Sequence, residues 1–357
     1  MKFTSFTFMV TEDCNFNCSY CYQDKKKRHI DISILKRAID FFFPFFTDGC
    51  SVNFYGGEPL LAFELIQQAV AYIQQKSRGL DKGIKFSMTS NGSLIDDHVL
   101  QFLQKNRFSL LLSFDGLAQE VSRKKGSFGQ IVSVIEMILN KRGIDFEINS
   151  VFTPKTIGYL SRSIQFVAEL GVPNIGISLS KITAWDTGSL DLLRSELKST
   201  RGFLLSFYES TRNIPLANFR GNSQKGIFVC TAGLDRMALT PGGKLWGCHL
   251  FFDCFKGKKV KEEYAHFCFG DLESFIEDHE SIYPEILSHY SQLRMDLFYT
   301  PSTFCILCDE IMECHECPMV NKLSGSKIWG IPSWTCEINK IFRREKKLFL
   351  NRMRGSE

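Results

Sequence analysis

Six times between Phe6 and Tyr208 a short apolar run rich in β-branched and aromatic residues is followed by an amphipathic stretch of helical length. Few folds accept that rhythm. The strand-like runs are 6–10, 51–55, 84–90, 109–114, 146–152 and 174–178, and the helical patterns are 32–46, 61–76, 95–105, 128–141, 156–170 and 190–208. Strands joined by helices are parallel, since the helix returns the chain to the end from which it started. Six units fall short of an ordinary eightfold barrel, so an α/β partial (β/α)6 TIM-like barrel is expected, with a doubly wound sheet as second choice. Both folds place their ligands at the carboxyl ends of the strands.

The first four of those ends are chemically distinctive. After the first comes Cys14-Asn15-Phe16-Asn17-Cys18-Ser19-Tyr20-Cys21, three thiols in eight residues. Thiols this close imply a shared metal, and C-x3-C-x2-C is one ligand short of a closed four-cysteine site. A four-iron cubane held by three cysteines keeps one iron open to a small molecule; a zinc knuckle completed by His29 or Cys50 is the other reading. The second strand ends Tyr55-Gly56-Gly57-Glu58-Pro59, the third Thr89-Ser90-Asn91-Gly92, and the fourth Ser113-Phe114-Asp115-Gly116. Glycine lets backbone approach a ligand, and the adjacent polar groups accept hydrogen bonds.

With 357 residues there is room for a barrel-sized domain and a smaller one, expected as 1–215 and 216–340, with a basic tail at 341–357. A net charge of +4 makes no general case for nucleic acid. No signal-peptide pattern opens the chain and no apolar run nears the length of a membrane span, so a cytoplasmic protein is expected. Thirteen cysteines in a reducing compartment point to metal before disulfides.

These segments resemble the radical S-adenosylmethionine (SAM) superfamily, whose C-x3-C-x-aromatic-C signature is matched by Cys14, Cys18, Tyr20 and Cys21. The resemblance implies that the three thiolates hold a 4Fe-4S cluster whose open iron chelates the methionine part of SAM. It implies that Gly56 and Gly57 offer carbonyls to the ammonium and Glu58 shapes that wall. Ser90, Asn91, Ser113 and Asp115 would line the rest, Arg123 or Lys124 would reach the carboxylate, and Tyr20 would pack near the adenine. The family's reaction is one-electron cleavage of SAM, giving a 5'-deoxyadenosyl radical that removes a substrate hydrogen.

Beyond a polar bridge at about 210–224, a hairpin is expected from 236–239 and 244–246 around Thr240-Pro241-Gly242-Gly243. Cys230 precedes it and Cys248 follows it. Then come Cys305, Cys308, Cys314, Cys317 and Cys336. Taken alone, the C-x2-C-x5-C-x2-C run reads as a zinc ribbon. After a radical SAM half, the whole order resembles the seven-cysteine SPASM extension, although its last close pair has two intervening residues where the family has three. By that resemblance Cys305, Cys308, Cys314 and Cys336 hold one auxiliary 4Fe-4S cluster, and Cys230, Cys248 and Cys317 hold another. The latter's fourth ligand is Cys254, Cys268 or none, position 224 being Gln. Cys50 reads as a buried thiol.

SPASM enzymes mostly modify peptides or proteins, so the expected substrate is a polypeptide side chain and the expected electron donor a flavodoxin or ferredoxin. The segments around Cys230, Met237, Cys248 and Phe269 resemble thioether-forming maturases of ribosomally made peptides. Sulfatase maturases carry a catalytic aspartate directly after the second motif cysteine, where this chain has His249, a residue able to take a proton near neutral pH. The leading expectation is a crosslinking peptide maturase. Alternatives are an activator that oxidises one residue of a partner enzyme and a nonenzymatic iron-sulfur or zinc scaffold. The first strand follows the start within a few residues, so any leader is expected to be held by the barrel, the auxiliary domain or another protein. The basic tail reads as a terminal helix packed by Phe342 and Phe349.

Overall fold

The computed structural model describes residues 1–80, 82–141, 143–221, 230–255, 266–299, 307–310, 314, 316–328 and 330–354, the side chains of 294–299 excepted. Six parallel strands follow the sequence rhythm: β1 (Phe3–Thr11), β2 (Phe46–Gly56), β3 (Ile84–Ser90), β4 (Ser109–Ser113), β5 (Asp145–Phe152) and β6 (Ile175–Leu179). They form a partial barrel. Three more strands, β7 (Arg236–Leu239), β8 (Lys244–Trp246) and β9 (Cys268–Asp271), extend the same sheet in the order β6-β5-β4-β3-β2-β1-β7-β8-β9. Only β7-β8-β9 run antiparallel to one another; β7 lies parallel to β1, pairing Ser5 with Arg236 and Phe8 with Leu239. The hairpin beyond the expected boundary at residue 215 is therefore joined to the barrel through backbone hydrogen bonds.

Parallel strands covered on both faces usually read as unbroken apolar runs. Here they alternate. Phe6, Phe8, Val52, Phe54, Phe86, Met88, Leu110, Leu112, Phe146 and Ile148 are buried. Phe54 stacks on Phe8, Phe86 and Phe108 at centroid distances of 6.3, 6.4 and 6.0 Å. The intervening positions, among them Ser5, Thr7, Asn53, Ser87, Glu147 and Asn149, line a central cavity. Asn53 Nδ2 donates to Ser5 Oγ at 2.8 Å, and Ser178 Oγ donates to Asn149 Oδ1 at 3.0 Å. One sheet face is thus dry core and the other a polar lumen.

Local chemistry sets the element ends. The first helix, expected to reach residue 46, ends at Phe42: Phe43 keeps helical backbone and donates to Ile39 O, but Pro44 has no N–H to carry the ladder on, and a single 3-10 turn, Phe43–Phe45, leads into β2. Asp96 and Asp186 each accept the backbone N–H three residues on, at 2.8 Å, and start the helices Asp97–Lys105 and Thr187–Thr211. The basic tail is the second half of one helix, Ser333–Arg354, which packs along Thr187–Thr211. Its Phe342 and Phe349 meet Phe219 edge-on at 5.4 and 5.6 Å, and Glu345 pairs with Arg201 at 2.8 Å.

Candidate active site

The cysteine loop leaves β1 at Thr11 and is strapped down by the ends of the next three strands. Gly57 N donates to Thr11 O at 3.1 Å and Glu58 N to Asp13 O at 2.8 Å, so the end of β2 grips the first turn of the loop. Asn91, after β3, donates to Asn15 Oδ1 at 2.8 Å and approaches Cys14 Sγ at 4.0 Å. Beyond β4, Ser122 O accepts from Ser19 N at 2.7 Å, and Asp115 Oδ2 accepts from the Tyr20 hydroxyl at 2.8 Å. The glycines are required by this approach. A Cβ on Gly56, whose φ is +150°, would lie 2.1 Å from Thr11 O, and one on Gly57 would lie 2.2 Å from Asp13 O and 2.9 Å from Cys14 Cβ.

Glu58 and Asp115, read from sequence as ligand-facing, act as anchors behind the wall. Both side chains are fully buried. Glu58 accepts from Ser90 Oγ at 2.8 Å, Asn91 N at 2.7 Å and Leu60 N at 3.2 Å, while burial outweighs these donors and pushes its carboxyl up to about 7. Asp115 takes four donors: Arg123 Nη2 at 3.0 Å and Val151 N at 2.8 Å on one oxygen, and Tyr20 Oη at 2.8 Å and Ser122 Oγ at 2.5 Å on the other. Protein donors fill its acceptors, and it does not itself border the neighbouring cavity. Ser122, which sequence reading missed, joins this network through both its hydroxyl and its carbonyl.

In front of these anchors lies a cavity of about 850 Å³. Cys14, Cys18, Cys21, Tyr20, Gly56, Gly57, Ser90, Asn91, Ser113 and Arg123 border it on the loop side. Arg123 Nη2 is committed to Asp115, and its guanidinium lies 5.5 Å from the Tyr20 ring centre, while its buried Nε has no hydrogen-bond partner. Lys124 turns to Asn15 O at 3.4 Å. Burial raises the Cys14 and Cys18 thiols, and the charge of Cys21 adds to both. Among the described residues no three His, Cys, Asp or Glu side chains converge on a point where one ion would sit. Cys50, a candidate fourth zinc ligand, is fully buried opposite Ile84 at the amino end of β3, its thiol pushed up to about 12 by burial.

The same cavity reaches Cys248 and His249. Tyr22 and Tyr55 share a hydroxyl hydrogen bond at 3.0 Å, and the Tyr55 ring lies 4.3 Å from the His249 ring, whose Nδ1 is 3.8 Å from Cys248 Sγ. An aromatic bridge therefore joins the loop cysteines to Cys248; nothing in the motif spacing announces it. Burial lowers the His249 pKa, partly offset by Asp253. Cys317 is pushed up to about 12, by burial first and then by the charges of Cys248 and Cys230. Cys254 is buried in the helix His249–Phe255, and Cys268 Sγ donates to Leu245 O at 3.6 Å inside the hairpin. Cys308, Cys314 and Cys336 are half-buried, while Cys305 lies outside the described residues.

Residues 8–179, which run from within β1 through the cysteine loop to the end of β6, match the model of the Radical SAM superfamily. Through this region the chain belongs to the radical SAM superfamily. An enzyme of this superfamily uses a 4Fe-4S cluster and SAM. Over 177 residues the chain is 30% identical to the uncharacterised protein MJ0907 of Methanocaldococcus jannaschii, covering 48% of this chain and 61% of that protein. Over 321 residues it is 23% identical to the radical SAM cyclopropyl synthase TigE of Paramaledivibacter caminithermalis, covering 80% of this chain and 66% of TigE. A cysteine-type anaerobic sulfatase-maturating enzyme of Clostridium perfringens is 27% identical over 179 residues, 45% of this chain and 47% of that enzyme. The chain thus spans between about half and two thirds of these relatives. In fold it is similar to anSMEcpe with bound AdoMet and Cp18Cys peptide, with a TM-score of 0.74 and 18% identity over 99% of both chains.

Proposed function

We propose that this radical SAM enzyme matures a ribosomally made precursor peptide, joining two of its atoms as a thioether or carbon–carbon bond with the loss of two hydrogens. One observation carries the reading: the loop thiols and the Cys248–His249 pair border a single cavity, so a side chain bound there lies between the two cysteine sets. The similarity to TigE, which extends over 80% of the chain and so past the barrel, supports ring or crosslink formation. The peptide in the anSMEcpe structure supports a polypeptide substrate.

In this reading Cys14, Cys18 and Cys21 hold the cluster that binds SAM. The residues present suit that pair of groups: three separated thiols on one wall, glycine backbone where a Cβ has no room, and an unpartnered Arg123 Nε beside them. When bound, the pair supplies a 5'-deoxyadenosyl radical that takes one substrate hydrogen. The chain's own part is orientation. Asp115 fixes Tyr20 and Arg123, Glu58 fixes Ser90 and Asn91, and the apolar face of the sheet closes the cavity from behind. Cys230, Cys248 and Cys317 hold one auxiliary 4Fe-4S cluster, and Cys305, Cys308, Cys314 and Cys336 the other. His249 would accept the second hydrogen as a proton, the electron that goes with it leaving through the auxiliary cluster that Cys230, Cys248 and Cys317 would hold. A low-potential flavodoxin or ferredoxin supplies electrons.

The second reading, oxidation of one residue in a partner enzyme, draws on the sulfatase-maturase similarity, but that match covers 45% of the chain. Anaerobic incubation with SAM, a reductant and candidate precursor peptides separates the two. A peptide lighter by two hydrogens per bond is expected. Deoxyadenosine release with every peptide unchanged, beside a modified partner enzyme, would overturn the crosslinking assignment.

A further inference from the structure

Lys181 stands two residues beyond β6, at the carboxyl end of the last barrel strand, and borders the cavity. Its ammonium points toward the cysteine-rich part of the chain. Nζ lies 2.5 Å from Glu316 Oε1 and 3.0 Å from Asn339 Oδ1. Glu316 sits between Cys314 and Cys317 with 1% of its side chain exposed. Asn339, on the C-terminal helix one turn after Cys336, uses its amide nitrogen twice: it donates to Glu316 Oε1 and to Cys314 Sγ, the latter at 3.8 Å. Arg343, one turn further on, also hydrogen-bonds the Cys314 sulfur and pairs with Glu310 at 2.5 Å. Three remote segments therefore meet at one thiol. The ion pair is almost dry, where charge interactions are strong and a lost partner is costly.

We propose that Lys181, Glu316 and Asn339 form a clasp that positions the iron-sulfur centre ligated by Cys314 and tunes its reduction potential from the wall of the substrate cavity. The proposal rests on the assignment of Cys314 as a cluster ligand. Reduction adds one negative charge to a cluster, so a nearby cation and hydrogen bonds to its sulfur raise its potential, and a nearby anion lowers it. Lys181 and Glu316 act in opposite directions on the same centre, and their contact balances them. Because Lys181 also borders the cavity, it ties the position of the barrel wall to that of the cysteine loop. These are positioning residues, and the sign of each effect distinguishes them from side chains that merely stabilise the fold.

The test uses the reconstituted holoprotein, with iron and sulfide per chain and the potential of the auxiliary centre read by EPR-monitored titration. Lys181→Met is expected to lower the potential, Glu316→Gln to raise it and Asn339→Leu to lower it. The double variant Lys181→Met/Glu316→Gln is expected to return near the parent value. If Lys181→Met alone sheds iron, recovery of iron in the double variant supports the pairing, and failure to recover overturns it. Unchanged potentials in both single variants, or shifts of the same sign, also overturn the clasp. Cys314→Ala separates the two assignments: full iron in that variant removes the ligand reading itself, whereas lost iron there beside unshifted potentials in the others removes the clasp alone.

Discussion

Replacing Asp115 by asparagine isolates what holds the cysteine loop in place, because shape is kept and only charge and one acceptor are lost. Of the four donors on Asp115, the Tyr20 and Ser122 hydroxyls can rotate to accept from the new amide, and the Val151 N–H can keep an oxygen. Arg123 cannot adapt. Its side chain is 6% exposed, its Nη2 sits 3.0 Å from the carboxylate, and the substitution leaves a buried guanidinium without its counter-charge. Removing one member of such a pair costs about 3–5 kcal/mol, against about 1 kcal/mol for an ordinary rearranged hydrogen bond. The expected loss is therefore at least about 3 kcal/mol, read as a lowered urea midpoint of the reduced, cluster-free chain at unchanged m-value. The cycle with Arg123→Met gives the decisive number. If the unpaired charge is the cause, Asp115→Asn in that background costs only about 1 kcal/mol, a coupling of about 2 kcal/mol or more. A single-variant loss below about 1 kcal/mol, or no coupling to Arg123, would refute the argument that this ion pair anchors the loop.

Gly57→Ala forces a Cβ to within 2.2 Å of Asp13 O, so the loop must shift; the variant is expected to bind less iron at the first cluster while the iron of the auxiliary clusters is retained, as measured by iron analysis and Mössbauer spectroscopy. Glu58 carries a pH signature. Its folded carboxyl lies at about 7 against an ordinary 4.5, so the native chain binds the proton more tightly, and its stabilising contribution, full below about 4.5, is lost as pH rises to about 7. The fall is on the order of 3 kcal/mol, and Glu58→Gln is expected to flatten it in denaturation curves of the cluster-free chain across that window. Cys50→Ala is expected to leave iron content unchanged and to cost about 1 kcal/mol of stability, since the thiol is buried in β2 away from the site; lost iron would return Cys50 to the list of ligands.

What could be read from the chain in advance followed from local rules. The strand–helix rhythm, the hairpin at Thr240-Pro241-Gly242-Gly243 and the three-thiol loop depend on residues within a few positions of one another, and all are found in the expected places. The first helix overran only because the stop at Pro44 was passed over. The polar lumen was also legible, in alternations such as Ser5-Phe6-Thr7-Phe8 and Val52-Asn53-Phe54, which put one kind of residue on each face of a strand.

The remainder depends on three-dimensional meeting points that spacing does not encode. The Gly-Gly-Glu and Ser-x-Asp-Gly segments drew notice as ligand contacts; the structure gives them a further task, since Gly56 and Gly57 make room for the backbone at Thr11 and Asp13, and Glu58 and Asp115 are buried and do not border the cavity. A loop built around three thiols buries little apolar surface of its own, so its shape must be imposed from outside, and the polar ends of β2, β3 and β4 are the groups within reach. The same reasoning applies at the other cysteine set, where Lys181 finds Glu316 and Asn339 across separations of 135 and 158 residues. In both places the acids and amides behind the cysteines fix where the sulfur points; a carboxylate next to a cysteine motif in such a chain is accordingly first a support for the thiols and only then a candidate to touch the substrate.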